Sequence, residues 1–241
     1  MNLKLIGATV AAAVLAVASA SQASATYHFT FNQSAAFSGA TAGGIDVTDT
    51  GSGLTFDVSL LSGYLFKASG TNHDSLAFNL DVAGLSISPL HPTNNLGNNF
   101  LFQAAGSSFS EPPFNDNPFN YAIDCITETH GPGAHAGCVN GPDATKNPQS
   151  YSFSIAGVGI GDLFSNNVYN TKDIWFSADI TTVPGVGAFA GSTAAAVTGN
   201  IGATMDPRGI VPEPATWAMM LIGFGGMGAL LRRQRRQAAT A

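Results

Sequence analysis

The sequence predicts an all-β fold: a single antiparallel, β-sandwich-like ectodomain, flanked by an N-terminal signal peptide and a C-terminal transmembrane helix. Three observations predict it. The middle of the 241-residue chain is dominated by Ala, Gly, Ser, Thr and Asn and carries few charges. Short runs there alternate apolar and polar residues with the period of two that strands require. No stretch of the middle keeps a 3.6-residue apolar rhythm for three helical turns.

The first element is residues 1–25. Lys4 precedes an apolar core over 5–18, and small residues then offer cleavage after Ala20 or after Ala25. This is the layout of a secretory signal peptide, which engages the secretion translocon and signal peptidase. Cleavage after Ala25 is favoured because strand-like sequence begins at Tyr27.

Residues 26–210 form the β-rich exported domain, long enough for one core of ordinary size. Strands are expected at 27–31, 54–60, 76–82, 84–88, 99–103, 150–156, 173–181, 185–190 and 194–205. Turn clusters separate them, at Gly43-Gly44, at Asp49-Thr50-Gly51-Ser52-Gly53 and at Ser69-Gly70-Thr71-Asn72. Phe29, Phe31, Phe56, Phe78, Phe153, Trp175 and Phe176 are the expected core anchors. Trp175 and Phe176 are neighbours and must face opposite ways on one strand, so one of them is a candidate carbohydrate platform. Between 106 and 148 strand character fades and prolines accumulate at 112, 113, 118, 132, 142 and 148, which reads as a loop-rich excursion.

Cys125 and Cys138, the only two cysteines, lie in that excursion. A disulfide is the expected state in an oxidising compartment, and closing a loop of this size contributes about 3 kcal/mol in the chain-entropy model. Zinc is the rival, since His130 and His135 complete a C-x4-H-x4-H-x2-C set, although the spacing matches no common zinc pattern. Asp46, Asp49 and Asp57, and Asp116 with Asn115 and Asn117, offer oxygen ligands of the kind calcium takes. Neither set has EF-hand spacing, and Asx residues in turns bond their own backbone. No metal or cofactor is expected. The chain lacks G-x-S-x-G, H-E-x-x-H, a P-loop and a dinucleotide-binding glycine set, and its histidines at 28, 73, 91, 130 and 135 are scattered. A non-enzymatic protein is therefore expected. Between 26 and 211 four basic residues (Lys67, Lys146, Lys172, Arg208) stand against 14 acidic ones, which argues against nucleic acid as a partner.

The last element is 211–236. Residues 215–231 hold no charge and no proline, and at about 1.5 Å per residue they reach about 26 Å, the short limit for a transmembrane helix. Trp217 fits the outer interface, and Arg232, Arg233, Arg235 and Arg236 form a stop that prefers the cytoplasmic side. The domain before it is then held on the far side of the inner membrane, in the periplasm. Pro212 and Pro214 fix their own φ and bias the residues before them to extended geometry, which keeps the segment out of the following helix and presents it as a protease cleft would grip it. Glu213 adds one negative charge, a handle for a basic group.

Pro212-Glu213-Pro214, Trp217-Ala218-Met219-Met220, Gly223-Phe224, Gly228 and the arginine cluster together resemble the PEP-CTERM sorting signal in its PEPxxWA variant. The resemblance covers about the last 30 residues. It implies handling by an exosortase, a membrane transpeptidase-like enzyme of Gram-negative bacteria that also make exopolysaccharide, with processing near Pro212, Glu213 and Pro214. Phe119-Asn120-Tyr121-Ala122-Ile123-Asp124-Cys125, Cys138, Tyr151-Ser152-Phe153-Ser154 and Trp175-Phe176-Ser177-Ala178-Asp179-Ile180 look like a looser pattern in PEP-CTERM proteins of unassigned activity, implying a shared ectodomain type. The expected function is that of an exported surface or extracellular-matrix protein with a structural or carbohydrate-associated role in exopolysaccharide or biofilm. A secreted polysaccharide-active hydrolase and an adhesin-like surface protein are the alternatives.

Overall fold

The computed structural model describes residues 24–37, 39–67, 74–82, 85, 101–103, 108–124, 141–144, 147–206, 211–212, 220, 223–228 and 232, with only the backbone at 101–103, 115, 124 and 211–212. Ala25–Val211 forms one compact unit. Its strands are β1 (Ala25–Gln33), β2 (Gly43–Asp49), β3 (Gly53–Leu60), β4 (Tyr64–Phe66), β5 (Leu76–Phe78), β6 (Leu101–Gln103), β7 (Phe109–Glu111), β8 (Phe114–Phe119) and β9 (Tyr121–Asp124). They continue with β10 (Ser150–Ala156), β11 (Asn167–Tyr169), β12 (Lys172–Ile174), β13 (Phe176–Thr182), β14 (Thr198–Met205) and the two-residue β15 (Val211–Pro212).

The expected all-β, antiparallel character is what the chain adopts, in the form of one curled sheet. Its order is β10-β3-β2-β1-β14-β13-β5-β9-β6, and β4 pairs with the far end of β13. Alternation sets the curl. Phe29 and Phe31 of β1, Ile45 and Val47 of β2, Phe56 and Val58 of β3, and Tyr151 and Phe153 of β10 are all buried, while the residues between them point outward. Register aligns them in rows: Phe29, Ile45, Val58 and Tyr151 in one, Tyr27, Val47, Phe56 and Phe153 in the next. A sheet with one apolar face must cover it. Here the sheet covers itself: Phe56 stacks on Phe153 at 4.5 Å, and both rings meet Phe78 of β5 at 5.6 and 6.0 Å. Phe176 of β13 closes the cluster against Phe29 at 4.9 Å. Each fully buried ring contributes about 1.5–3 kcal/mol by area, and favourable pair geometry adds to it.

A second, smaller core lies on the other face of the central strands. The β7–β8 and β11–β12 hairpins bring Phe109, Phe114, Phe119 and Ile174 onto Ala77 and Ala122. Every residue of β13 is therefore buried. Gly202 of β14 permits this layer, because a Cβ there would sit 2.9 Å from Phe114 Cζ and 3.0 Å from Ile174 Cγ2.

Several expectations are corrected. Residues 106–148 are not uniformly loop-rich, since β7, β8 and β9 occupy 109–124. Gly43 and Gly44 start β2 instead of making a turn; a Cβ at Gly43 would lie 2.2 Å from Ser59 O, so the glycines serve close strand approach. The strand expected over 185–190 is a short 3-10 turn, Gly187–Phe189. The run expected over 173–181 breaks at Trp175, which separates β12 from β13. That break overturns the opposite-facing argument: Phe176 is fully buried, and Trp175 is half-buried against the same core, 5.6 Å from Phe29. The strand expected over 84–88 lies, apart from Leu85, outside the described residues, as do the signal-peptide residues 1–23 and the turn at 69–72.

Candidate functional site

Three places carry the residues from which a function can be built. The first is the C-terminal segment. Val211 and Pro212 are extended, as two prolines flanking Glu213 dictate. Residues 220, 223–228 and 232 are helical, and Met220, Phe224 and Met227 are 44%, 66% and 57% exposed. Among the described residues no helix is long and apolar enough to cross a membrane. Glu213, Pro214, Trp217, Arg233, Arg235 and Arg236 lie outside the described residues, and Arg232 is exposed.

The second place is the outer face of β10-β3-β2-β1, which is polar in every row. Thr26, Thr48, Thr55 and Ser154 stand side by side, with Thr26 and Thr48 hydroxyls 2.9 Å apart and Thr55 and Ser154 hydroxyls 3.0 Å apart. The next row is His28, Asp46, Asp57 and Ser152, in which His28 Nδ1 lies 2.5 Å from Asp46 Oδ1. The third is Thr30, Gly44, Ser59 and Ser150. No aliphatic or aromatic side chain interrupts these rows. Of the carboxylates considered as calcium ligands, Asp49 accepts the Gly51 N–H at 2.8 Å and the Ile160 N–H at 3.1 Å, tying the β2–β3 turn to the 3-10 turn Ile160–Asp162. Among the described residues no three His, Cys, Asp or Glu converge as a metal site. Cys125, Cys138, His130 and His135, the disulfide and zinc candidates, lie outside the described residues, as do His73 and His91.

The third place was not apparent in the sequence. Lys67, just after β4, and Asp179 of β13 face each other, with Nζ 3.0 Å from Oδ2 and side chains 10% and 2% exposed. The Lys67 N–H donates to Asp179 O at 3.3 Å, and the Asp179 N–H donates to Asp74 O at 3.1 Å. Glu111, completely buried at the end of β7, accepts the Asp74 N–H at 2.6 Å. Asn200, opposite Asp179 on β14, donates to Pro112 O at 2.9 Å in the β7–β8 turn. The Lys67–Asp179 ion pair is thus joined through the Asp74 backbone to buried Glu111, next to the β7–β8 hairpin. No periodicity signals this, because the partners come from four separate segments.

A second polar network is structural. Asn79 donates to Asn166 at 2.8 Å, and Asn120 and Leu80 exchange two bonds at 2.9 and 3.1 Å. Asn117 bonds Asn166 O and Asn167 Oδ1. These amides anchor the β8–β9 junction to the end of β5 and to β11.

Fold and tail together define a class: an all-β domain followed by a Pro-Glu-Pro segment, a glycine-rich apolar run and an arginine cluster. Residues 211–236 match the family model of the PEP-CTERM protein-sorting motif. The motif marks the chain as an exported protein sorted by an exosortase, in a membrane-anchored or surface-associated state. No curated protein and no solved structure matches the chain.

Proposed function

We propose that the chain is a non-catalytic structural protein of the cell surface or exopolysaccharide matrix of a Gram-negative bacterium, exported through the inner membrane and released outward from a C-terminal anchor at 215–231 by exosortase processing. The observation that carries this reading is the sorting motif at 211–236. The helical state of residues 223–228, with Phe224 and Met227 exposed, fits a tail whose apolar side chains meet lipid instead of a protein core.

The polar face of β10-β3-β2-β1 supports a matrix role. Rows of hydroxyls, carboxylates and one imidazole match the hydrogen-bonding chemistry of sugars, and they lie on rigid strands that need no ordering on contact. On that face Asp46 is engaged by His28. The test is fractionation of the native producer followed by mass spectrometry of the mature termini. A mature form ending near Pro212, Glu213 and Pro214 and recovered with surface polysaccharide is expected. A full-length form soluble in the cytosol would overturn the reading.

A further inference from the structure

We propose that Lys67 and Asp179 join in an intramolecular isopeptide bond, an amide cross-link between the end of β4 and the central strand β13. The two residues continue the β4–β13 ladder directly opposite each other, one step beyond the Phe66–Ile180 pair, so their side chains leave the sheet on the same face as neighbours. Nζ stands 3.0 Å from Asp179 Oδ2. Because Cγ is bonded to that oxygen, amine and carbonyl carbon are already close to the separation of about 3–3.5 Å from which bonds form. Both side chains are almost fully enclosed. Among the described residues neither carboxylate oxygen of Asp179 accepts a hydrogen bond, so no donor other than the adjacent Lys67 ammonium holds the group in its charged, unreactive form.

The chemistry balances within the pair. One proton passes from the Lys67 ammonium to the Asp179 carboxylate, which removes two charges from a dry site where separated charge is costly. The neutral amine's lone pair then attacks Cγ, the N–C bond forms, a C–O bond breaks, and the departing hydroxyl leaves as water with a proton from the nitrogen. No oxidant, reductant or cofactor is consumed. A second carboxyl, Glu111, is tied to Asp179 through the backbone of Asp74 and can relay the proton at the tetrahedral stage. It is completely buried and fixed through the Asp74 N–H, and Asp74 O accepts from Asp179 itself. An exported structural domain gains from such a bond what a disulfide gives, a covalent tie between distant parts of the chain, without dependence on redox conditions.

The test is a peptide map of the purified full chain after unfolding and thiol reduction. A branched peptide joining the Lys67 and Asp179 fragments, lighter by one water than their sum, is expected, together with a Lys67 amine unreactive to acylating reagents in the unfolded chain. Two linear peptides with Lys67 acylated in full would overturn the proposal, and this readout on the unaltered protein does not depend on any variant folding. Lys67→Arg and Asp179→Ala should each abolish the branched peptide, whereas its persistence in either would assign the bond elsewhere. Glu111→Gln should slow its appearance in freshly synthesised protein, and an unchanged rate would remove Glu111 from the reaction.

Discussion

Thr171 occupies an uncomfortable position. It and Asn170 form the β11–β12 turn with φ of 64° and 50°, the paired left-handed geometry that suits the twist of a two-residue hairpin. Asparagine tolerates that region, whereas a β-branched side chain there costs about 1–2 kcal/mol. Thr171→Gly relieves the clash at the expense of some chain entropy, so a net gain of about 0.5–1 kcal/mol in urea unfolding is expected. A loss would show that the threonine side chain makes a compensating contact. Tyr151 supplies a pH-dependent prediction. Burial pushes its phenol well above the ordinary value, and Tyr64 and Tyr121 are raised for the same reason. In the unfolded chain tyrosine loses its proton near pH ~10, while folded Tyr151 keeps it. Above that pH the native state binds more protons, so stability is fully present below the unfolded value and falls as pH rises toward the folded one. Tyr151→Phe removes this titration, and its melting temperature should decline less steeply than that of the unaltered protein between about pH 9.5 and 11.5. Parallel declines would assign the alkaline loss to other groups.

At the scale of elements, the asparagine network does the work that a longer ladder would do elsewhere. β5 is only three residues long, and its continuation is held by Asn120, which accepts the Leu80 N–H and donates to Leu80 O. Asn120→Ala leaves the amide of buried Leu80 without that acceptor and should cost about 1–3 kcal/mol. Hydrogen exchange should accelerate first at Leu80, and protection unchanged there would mean that the network is dispensable. Such side-chain bonding explains what the sequence conceals. β3 and β10 are legible because their alternation is strict and one face is buried. β13 is buried on both faces by the second core, which blurs its period of two, and β7 to β9 are short and broken by prolines. β2 begins with two glycines that read as a turn until the closeness of β3 is known. Among sites, the Pro-Glu-Pro tail is local and can be read directly, whereas the Lys67–Asp179 pair exists only because β4 reaches β13.

For the whole molecule, under the proposed anchoring at 215–231, the arginines after 231 would decide on which side of the membrane the folded domain is held. Each guanidinium costs about 2.5–3.5 kcal/mol at the centre of a bilayer on insertion scales, so four of them oppose passage of the tail by far more than the thermal energy. The glycines within 223–228 weaken the apolar run 215–231 from inside, since each adds little burial and loses backbone freedom. A short and glycine-rich span of this kind depends on its flanking charge for orientation more than a long leucine-rich one does. Replacing Arg232, Arg233, Arg235 and Arg236 together with Gln should therefore let part of the population carry its C-terminus outward, where an epitope after Ala241 becomes accessible to protease in intact spheroplasts. The mature, processed form should fall in the same proportion if, as proposed, exosortase acts on the Pro212-Glu213-Pro214 segment held on the outer side of the membrane. If the epitope stays protected and processing is complete, the span is oriented by the domain that precedes it and the arginines act only after cleavage.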